Sequence, residues 1–216
     1  MISAEIRDKI LNDDLFISEE IQKILTYYQL KHMLRWTHDS TQVDEKESVA
    51  EHVYGMYVLN DYFLPLQEGS LDTKLVNDLI LWHDMAEALV DDMTTLSKTN
   101  AHKQLEKEAE SQLVCNAPNH LQDKLGEMFK IYEEQELPEA KFVKAIDKLE
   151  PLFQILHNGT RLTFEKDPDR HARTATVLDK YQQNRIKYIE AFPDILKFSR
   201  VLSNEIKNTS YLHPEA

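Results

Sequence analysis

Glycine, proline and cysteine are scarce in this chain of 216 residues, which has 4 glycines, 7 prolines and a single cysteine. A chain built mainly of β-strands needs many tight turns, so this shortage disfavours an all-β fold. The lone Cys115 cannot form a disulfide within the chain. That suits a reducing cytosol, and we expect a cytoplasmic protein.

Long apolar runs and basic residues are also in short supply. No apolar run approaches the roughly 18 residues that a membrane span needs, and the residues after Met1 (ISAEIRDK) carry charge too early for a signal peptide. The chain has 25 Lys and Arg against 38 Asp and Glu, a formal net charge of -13. Such acidity disfavours nonspecific binding to nucleic acid or anionic membranes. A small anionic substrate remains compatible if a metal or a few basic side chains supply local positive charge.

The residues that are present predict an all-α protein. The hydrophobic fraction of 42% is ordinary, no repeat is visible, and the length suffices for one sizeable core. We expect a single domain over 1–216 with roughly eight to ten helices, its core at about 20–190 and a C-terminal helix and tail at 192–216. Ser48 and Glu51 form a capping box, and Pro118 and Pro138 suit helix starts. The predicted helices are 2–12, 18–34, 48 to about 64, 76–92, 102–115, 119–134, 138–157, 167–191 and 193–208.

The stretch 76–92 gives the main clue to function. A helix here would place Val76, Leu79 and Ile80 on one face. The same face then presents four ionisable residues: His83, Asp84, Glu87 and Asp91. Burying ionisable groups is costly unless they are paired or bind a metal. A buried hydrogen-bonded network or a helix-cap effect is the plainer explanation, but neither accounts for such groups late in a helix.

Two more residues on apolar helix faces extend this pattern. His52 shares a helix face with Val49 and Met56, and a histidine among such core residues is most often structural. Asp147 shares a face with Val143, but it could instead lie on a solvated face. The dipeptide His-Asp alone carries little weight, because the polar loop 36–46 holds a second copy, His38-Asp39. Together, two His and two Asp have the ligand types of a divalent site for Mn, Fe, Co, Ni or Zn, and the absence of thiolates disfavours structural zinc.

His52, His83-Asp84 and Asp147 resemble the H…HD…D signature of the HD-domain metal-dependent phosphohydrolases. Further elements resemble the 5′-deoxynucleotidase branch of that superfamily over about residues 20–190. These elements are Arg35-Trp36, Glu47 to His52, His83-Asp84-x-x-Glu87, Asp92 and Lys144-x-x-Asp147-Lys148. The branch often has Gly-Asp where this chain has Asp91-Asp92, which leaves open which aspartate faces the substrate.

The resemblance implies roles for individual residues. The metal ligands would be His52, His83, Asp84 and Asp147, and the effective ion would be Co²⁺ or Mn²⁺, with Mg²⁺, Fe²⁺, Ni²⁺ or Zn²⁺ as alternatives. Glu87 would act as general acid/base and Arg35 would orient the phosphate. Trp36, Asp92 and Glu134 would contact the nucleotide, Asp92 through the 3′-hydroxyl of the sugar; Lys98 and Lys148 are either phosphate neighbours or solvated surface lysines.

The sequence therefore predicts a metal-dependent phosphomonoesterase acting on (deoxy)nucleoside 5′-monophosphates. Beyond the nucleotide and the metal, we expect neither nucleic acid nor a membrane as a partner. We expect the chain to form a homodimer. One alternative is another HD phosphohydrolase activity, a cyclic phosphodiesterase or a nucleotide pyrophosphohydrolase, which shares the metal ligands. Another is a non-catalytic helical binding protein with a vestigial site, against which all four ligands and Glu87 are present.

Overall fold

The computed structural model describes residues 2–35, 47–90, 100–158 and 182–207. Within these ranges the chain forms nine α-helices and no β-strand, and a single isolated antiparallel bridge joins Leu34 to Ser48. The predicted all-α fold class is thus confirmed. None of the helices in the described ranges is long and apolar enough to cross a membrane.

The helices are numbered in chain order. They are α1 (Ile2–Asn12), α2 (Asp14–Tyr27), α3 (Val49–Phe63), α4 (Thr73–Trp82), α5 (Asn100–Asn116), α6 (Asn119–Glu134), α7 (Pro138–Asn158), α8 (described at 182–189) and α9 (Pro193–Lys207). Short 3₁₀ turns follow α2, α3 and α4, at Tyr28–Lys31, Leu64–Leu66 and Met85–Ala88. Most of the predicted helix 167–191 lies outside the described residues.

Capping chemistry explains where several helices begin. The predicted capping box is present at α3: Ser48 Oγ accepts from the Glu51 N–H at 3.2 Å, and the Glu51 carboxylate accepts from the Ser48 N–H at 2.7 Å. The start predicted at Ser18 is wrong, because Asp13 caps α2 earlier by accepting from the Phe16 N–H at 3.0 Å.

The central helix predicted over 76–92 is shorter than its apolar pattern indicates. Helix α4 ends at Trp82, a turn follows at 83–84, and Glu87 lies in the 3₁₀ turn. His83 Nδ1 lies 3.0 Å from the Ile80 carbonyl oxygen, which the Asp84 N–H would use in a continuing α-helix. The imidazole thus replaces a backbone donor, and the helix stops where the ionisable residues begin.

Helix α7 lies at the centre of the packing, in contact with α3, α4, α6 and α9. It contributes a series of fully buried apolar side chains: Phe142, Val143, Ile146 and Leu149. Burying each one stabilises the fold by about 1.5–3 kcal/mol relative to leaving it in water. The same helix also buries the carboxyl groups of Asp147 and Glu150. Acidic groups on a buried helix need partners, and those partners come from α3, from α6 and from lysines of α7 itself.

Candidate metal centre

The four predicted ligands lie together between α3, the end of α4 and α7. His52 Nε2 is 3.5 Å from Asp147 Oδ1 and 3.8 Å from Asp84 Oδ2. His83 Nε2 is 3.1 Å from the same Asp84 oxygen. The two imidazole rings stand 5.8 Å apart, centroid to centroid. Residues separated by up to 95 positions in the sequence thus present two nitrogens and two carboxylates to one point.

The donor atoms of this cluster fit a divalent metal ion. One ligand atom each from His52, His83 and Asp147 lies within 4.8 Å of the others, and all three residues are buried. Within the described part of the chain, neither His52 Nε2 nor His83 Nε2 has a hydrogen-bond partner. A buried polar atom without a partner is costly, and imidazole with carboxylate suits a borderline divalent ion. This cluster of buried imidazole and carboxylate groups is therefore a donor set suited to a divalent metal.

Local backbone chemistry sets the direction of His83. A carbonyl oxygen only accepts, so the Ile80 carbonyl 3.0 Å from His83 Nδ1 requires the proton on Nδ1. The other nitrogen, Nε2, then faces the carboxylates of Asp84 and Asp147. The early end of α4 is thus what orients this nitrogen.

Asp147 sits among cationic and phenolic groups. Lys148 Nζ is 3.0 Å and Lys144 Nζ 3.5 Å from Asp147 Oδ2, and the Tyr132 hydroxyl donates to that oxygen at 2.9 Å. Burial alone would raise the pKa of Asp147, but Lys148 and Lys144 outweigh it and hold that pKa well below its usual range. The carboxyl group is therefore ionised, as a metal ligand must be.

Arg35 lies at the more open edge of the cluster. Its Nη1 is 2.9 Å from Asp84 Oδ2, a carboxylate with 19% of its side chain exposed. Its backbone N–H donates to the Glu47 carbonyl at 2.8 Å, which ties it to the start of α3. Burial alone would raise the pKa of Asp84, but His83 and Arg35 hold it well below its ordinary value. An ion pair with a predicted ligand is a contact of Arg35 that the sequence did not indicate.

A second buried carboxyl group lies behind His52. Glu150 Oε2 is 2.7 Å from His52 Nδ1, and Glu47 lies beside Glu150. Burial and the Glu150 carboxylate raise the pKa of Glu47 to about 8. Burial and Arg35 lower the pKa of His52, but the neighbouring Asp147 and Glu150 carboxylates outweigh them and raise it to about 9. The sequence reasoning missed Glu150, although its place one turn after Asp147 was a signal.

Of the other predicted site residues, some lie within the described part of the chain and others lie outside it. Glu87 is buried in the 3₁₀ turn after α4, with its backbone N–H donating to the Asp84 carbonyl at 3.1 Å. Glu134 is exposed at the end of α6, 3.9 Å from Lys130 Nζ. Trp36, Asp92 and Lys98 lie outside the described residues, as do Asp91 and the second His-Asp pair.

An all-α fold with this His and Asp cluster defines a class: the chain belongs to the HD domain family, whose family model matches residues 27–189. It is 34% identical over 145 residues to 5′-deoxynucleotidase HDDC2 of Xenopus laevis, which is 66% of this chain and 69% of the relative. It is 33% identical over 132 residues to 5′-deoxynucleotidase hdd1 of Schizosaccharomyces pombe, covering 58% of this chain and 65% of the relative. The chain thus spans about two thirds of these curated relatives, and slightly less for hdd1.

Solved structures share the fold. A predicted metal-dependent phosphohydrolase from Magnetospirillum magnetotacticum superposes with a TM-score of 0.70 at 22% identity, covering 90% of this chain and 94% of that one. PH0347 protein from Pyrococcus horikoshii gives a TM-score of 0.58 at 25% identity, covering 84% and 99%. The resemblance to HD phosphohydrolases that the sequence motifs indicated is confirmed.

Proposed function

We propose that this chain is a divalent-metal-dependent phosphomonoesterase that hydrolyses (deoxy)nucleoside 5′-monophosphates to nucleoside and phosphate. The main support is the convergence of two buried imidazole Nε2 atoms with the carboxylates of Asp84 and Asp147 inside an HD domain. The similarity to proteins named 5′-deoxynucleotidases supports the choice of substrate class.

The proposed metal ligands are His52, His83, Asp84 and Asp147. A divalent ion held by them would polarise the phosphoryl group. It would also lower the pKa of a bound water, so that this water can act as a nucleophile at neutral pH. We propose Co²⁺ or Mn²⁺ as the effective ion, and Mg²⁺, Fe²⁺, Ni²⁺ and Zn²⁺ are the alternatives to test. The proposed ligands lie on α3, in the turn after α4 and on α7, which fixes the donor atoms in place and favours a preorganised site.

Positive charge for the phosphate would come from Arg35. Its planar guanidinium suits bidentate hydrogen bonds to phosphate oxygens, and it stands 2.9 Å from Asp84 at the edge of the cluster. Lys144 and Lys148 add two cationic groups beside Asp147. This local charge offsets the overall acidity of the chain for an anionic substrate.

Glu87 is the proposed general acid/base. In the overall reaction the oxygen of water bonds to phosphorus, the bond from phosphorus to the 5′-oxygen breaks, and that oxygen gains a proton. Glu87 would take a proton from the attacking water or give one to the leaving 5′-oxygen. Its place three residues after Asp84, buried in the 3₁₀ turn, puts it next to the ligand segment. Trp36, Asp92 and Glu134 remain the proposed contacts to the nucleoside.

The test is a phosphate-release screen over all nucleoside and deoxynucleoside 5′-monophosphates, each with Mg²⁺, Mn²⁺ and Co²⁺. Nucleoside triphosphates and cyclic nucleotides are screened in parallel by product analysis. We expect inorganic phosphate from the deoxy monophosphates with Mn²⁺ or Co²⁺, and none after chelation. Pyrophosphate from triphosphates, or opening of cyclic nucleotides without phosphate release, would identify the alternative HD activities. Purified chain that binds metal but turns over none of these would support the vestigial binding site.

For the whole protein we propose a homodimer in the cytoplasm. The exposed free thiol of Cys115 suits a reducing compartment. Light scattering of the purified chain measures its mass in solution, and a monomer at micromolar concentration would count against the dimer.

A further inference from the structure

The imidazole of His52 is supported from behind by a carboxylate. Its Nδ1 lies 2.7 Å from Glu150 Oε2, and both side chains are buried, at 0% and 5% exposed. A carboxylate oxygen accepts, so Nδ1 carries a proton, and Nε2 is the nitrogen left to bind a metal on the other side of the ring. That side faces Asp147 and Asp84. His83 uses a backbone carbonyl for the same purpose, so Glu150 is the support that a mutation can remove.

Helix α3 is shaped to admit this carboxylate. Gly55 lies one turn after His52, and a Cβ placed on it would be 2.6 Å from Glu150 Oε1 and 3.1 Å from Glu150 Cγ. Contacts of that length require Glu150 to move. Glycine inside a helix is unfavourable relative to alanine, so its presence here is accounted for by the space that Glu150 needs.

We propose that Glu150 is a positioning residue for His52, and that Gly55 provides the space this role requires. The inference rests on the metal-ligand role of His52 proposed above. A carboxylate on the distal nitrogen of a ligating histidine fixes the ring orientation and raises its basicity as a ligand. Glu150 itself lies behind the ring and acts only through it.

A rival explanation is a second cation site. One ligand atom each from Glu47, His52 and Glu150 lies within 4.8 Å of the others. Two contacts argue against it. His52 Nδ1 is already at hydrogen-bonding distance from Glu150, and Arg35 Nε, 3.7 Å from Glu47 Oε2, brings a positive charge to the same place. Arg35 thus already supplies next to Glu47 the positive charge that a second cation would bring.

The experiment measures the Co²⁺ and Mn²⁺ affinity of the full chain by competition with a chromophoric chelator, together with the Co²⁺ absorption spectrum. In Glu150→Ala we expect affinity to fall about 10–100-fold and the spectrum to change, because His52 loses its orientation. Glu150→Gln should lose less, since its amide oxygen can still accept from Nδ1. A merely structural role would lower the melting temperature of the metal-free chain while leaving affinity and spectrum unchanged.

Gly55→Ala tests the same idea without altering a ligand or its hydrogen-bonding group. We expect it to weaken metal binding by displacing the Glu150 carboxylate, and to have no further effect in the Glu150→Ala background, where the clash is gone. The matched control is Gly126→Ala in α6, where a new Cβ would be 4.0 Å from the nearest atom, Val114 Cγ2. That control should bind metal like the parent.

Each outcome decides between the hypotheses. Parental affinity in Glu150→Ala, or in Gly55→Ala if Glu150→Ala fails to fold, would overturn the positioning role while leaving the phosphatase proposal intact. Two ions per parent chain, with one lost in the Glu150 variants, would overturn it in favour of a second cation site. A parent chain that binds no divalent ion would overturn both proposals.

Discussion

His83 and Asp84 are adjacent in the chain, yet their side chains differ in burial and in the partners that hold them. His83 is held by the Ile80 carbonyl on Nδ1 and is buried, whereas Asp84 keeps 19% of its side chain exposed and pairs with Arg35 at 2.9 Å. The first residue therefore offers a fixed nitrogen to the candidate metal centre. The second links that centre to the cation proposed to meet the phosphate.

Replacing His83 tests whether the cluster is a metal centre. His83→Ala removes one donor and leaves Asp84 without the imidazole 3.1 Å away. Divalent binding depends on the full ligand set, so we expect the variant to lose tight binding of Co²⁺ and Mn²⁺ along with phosphatase activity. Elemental analysis of purified protein measures the first, and phosphate release the second.

The matched control is His120→Ala, which removes an exposed histidine from α6. It should retain metal and activity, because a surface imidazole has no place in the cluster. Full metal content in His83→Ala would exclude His83 as a ligand.

Glu87 allows chemistry to be separated from structure. Glu87→Gln keeps the shape of a buried side chain and removes the titrating group. If Glu87 handles the proton, kcat for a deoxynucleoside 5′-monophosphate should fall by roughly 10²–10⁴-fold. KM and metal content should change far less, because the lost interaction belongs to the transition state.

Glu133→Gln, an exposed substitution on α6, is the control for the loss of one negative charge and should leave kcat near the parental value. A metal-loaded Glu87→Gln enzyme with parental kcat would remove Glu87 from the mechanism. Loss of metal in that variant would instead make Glu87 part of the ligand set.

Among whole elements, a capping box and two prolines predicted helix starts correctly, whereas Ser18 and the apolar pattern beyond Trp82 misplaced helix boundaries. The capping box at Ser48 and the prolines at 118 and 138 mark the starts of α3, α6 and α7 as the structure has them. The end of α4 was missed because apolar periodicity continues beyond Trp82 in the sequence. The contact that ends the helix, His83 with Ile80, is a side-chain hydrogen bond that leaves no periodic signal.

The residues of the candidate site also differ in whether the sequence alone could identify them. His52, His83, Asp84 and Asp147 could be singled out because each is an ionisable residue within an apolar stretch. Glu150, one turn after Asp147, carried a weaker signal that was missed, and Tyr132 carried none, since its importance comes from how α6 packs on α7. Tyr132 donates to Asp147 from another helix, and no spacing in the sequence relates the two.

An ion pair between elements gives a pH-dependent test of packing. Lys124 Nζ on α6 is 2.6 Å from Asp78 Oδ1 on α4. Partial burial would raise the pKa of Asp78, but hydrogen bonds from Lys124 and Lys74 outweigh it and hold that pKa below its ordinary 3.8. A depressed folded-state pKa adds stability that is present above pH 3.8 and is lost as the pH falls through the lower folded value.

Asp78→Asn should therefore lower the free energy of unfolding at pH 7 by about 1 kcal/mol or less, as expected for a partly exposed pair. The difference from the parent should shrink as the pH falls from 5 to below 3. Urea titrations of both proteins across this range measure it. Lys74 is 81% exposed, so Lys74→Met, the control, should cost less than Lys124→Met. A difference that does not change with pH would contradict the ion-pair explanation.

At the scale of the whole molecule, charge is distributed unevenly. The chain carries a net charge of -13, while Arg35, Lys144 and Lys148 flank the two carboxylates of the candidate metal centre. A bound divalent ion would add two further positive charges at that point. Overall acidity discourages binding of large polyanions, whereas these cations with a bound metal would accommodate the small phosphate ester proposed as substrate.

The proposed metal would also act as a cross-link for the whole fold. Its ligands come from α3, from the turn after α4 and from α7, the helix that contacts most of the core. An ion bound only by the folded chain stabilises it by RT ln(1 + [L]/Kd), about 2.7 kcal/mol at 100 times Kd. For a chain of this size each kcal/mol raises the melting temperature by about 2–4 °C.

Thermal melts with excess Mn²⁺ and with a chelator measure the shift. In His83→Ala the shift should vanish, because the cross-link has lost a donor. A parent chain that melts at the same temperature with and without metal would show that these helices are held without an ion.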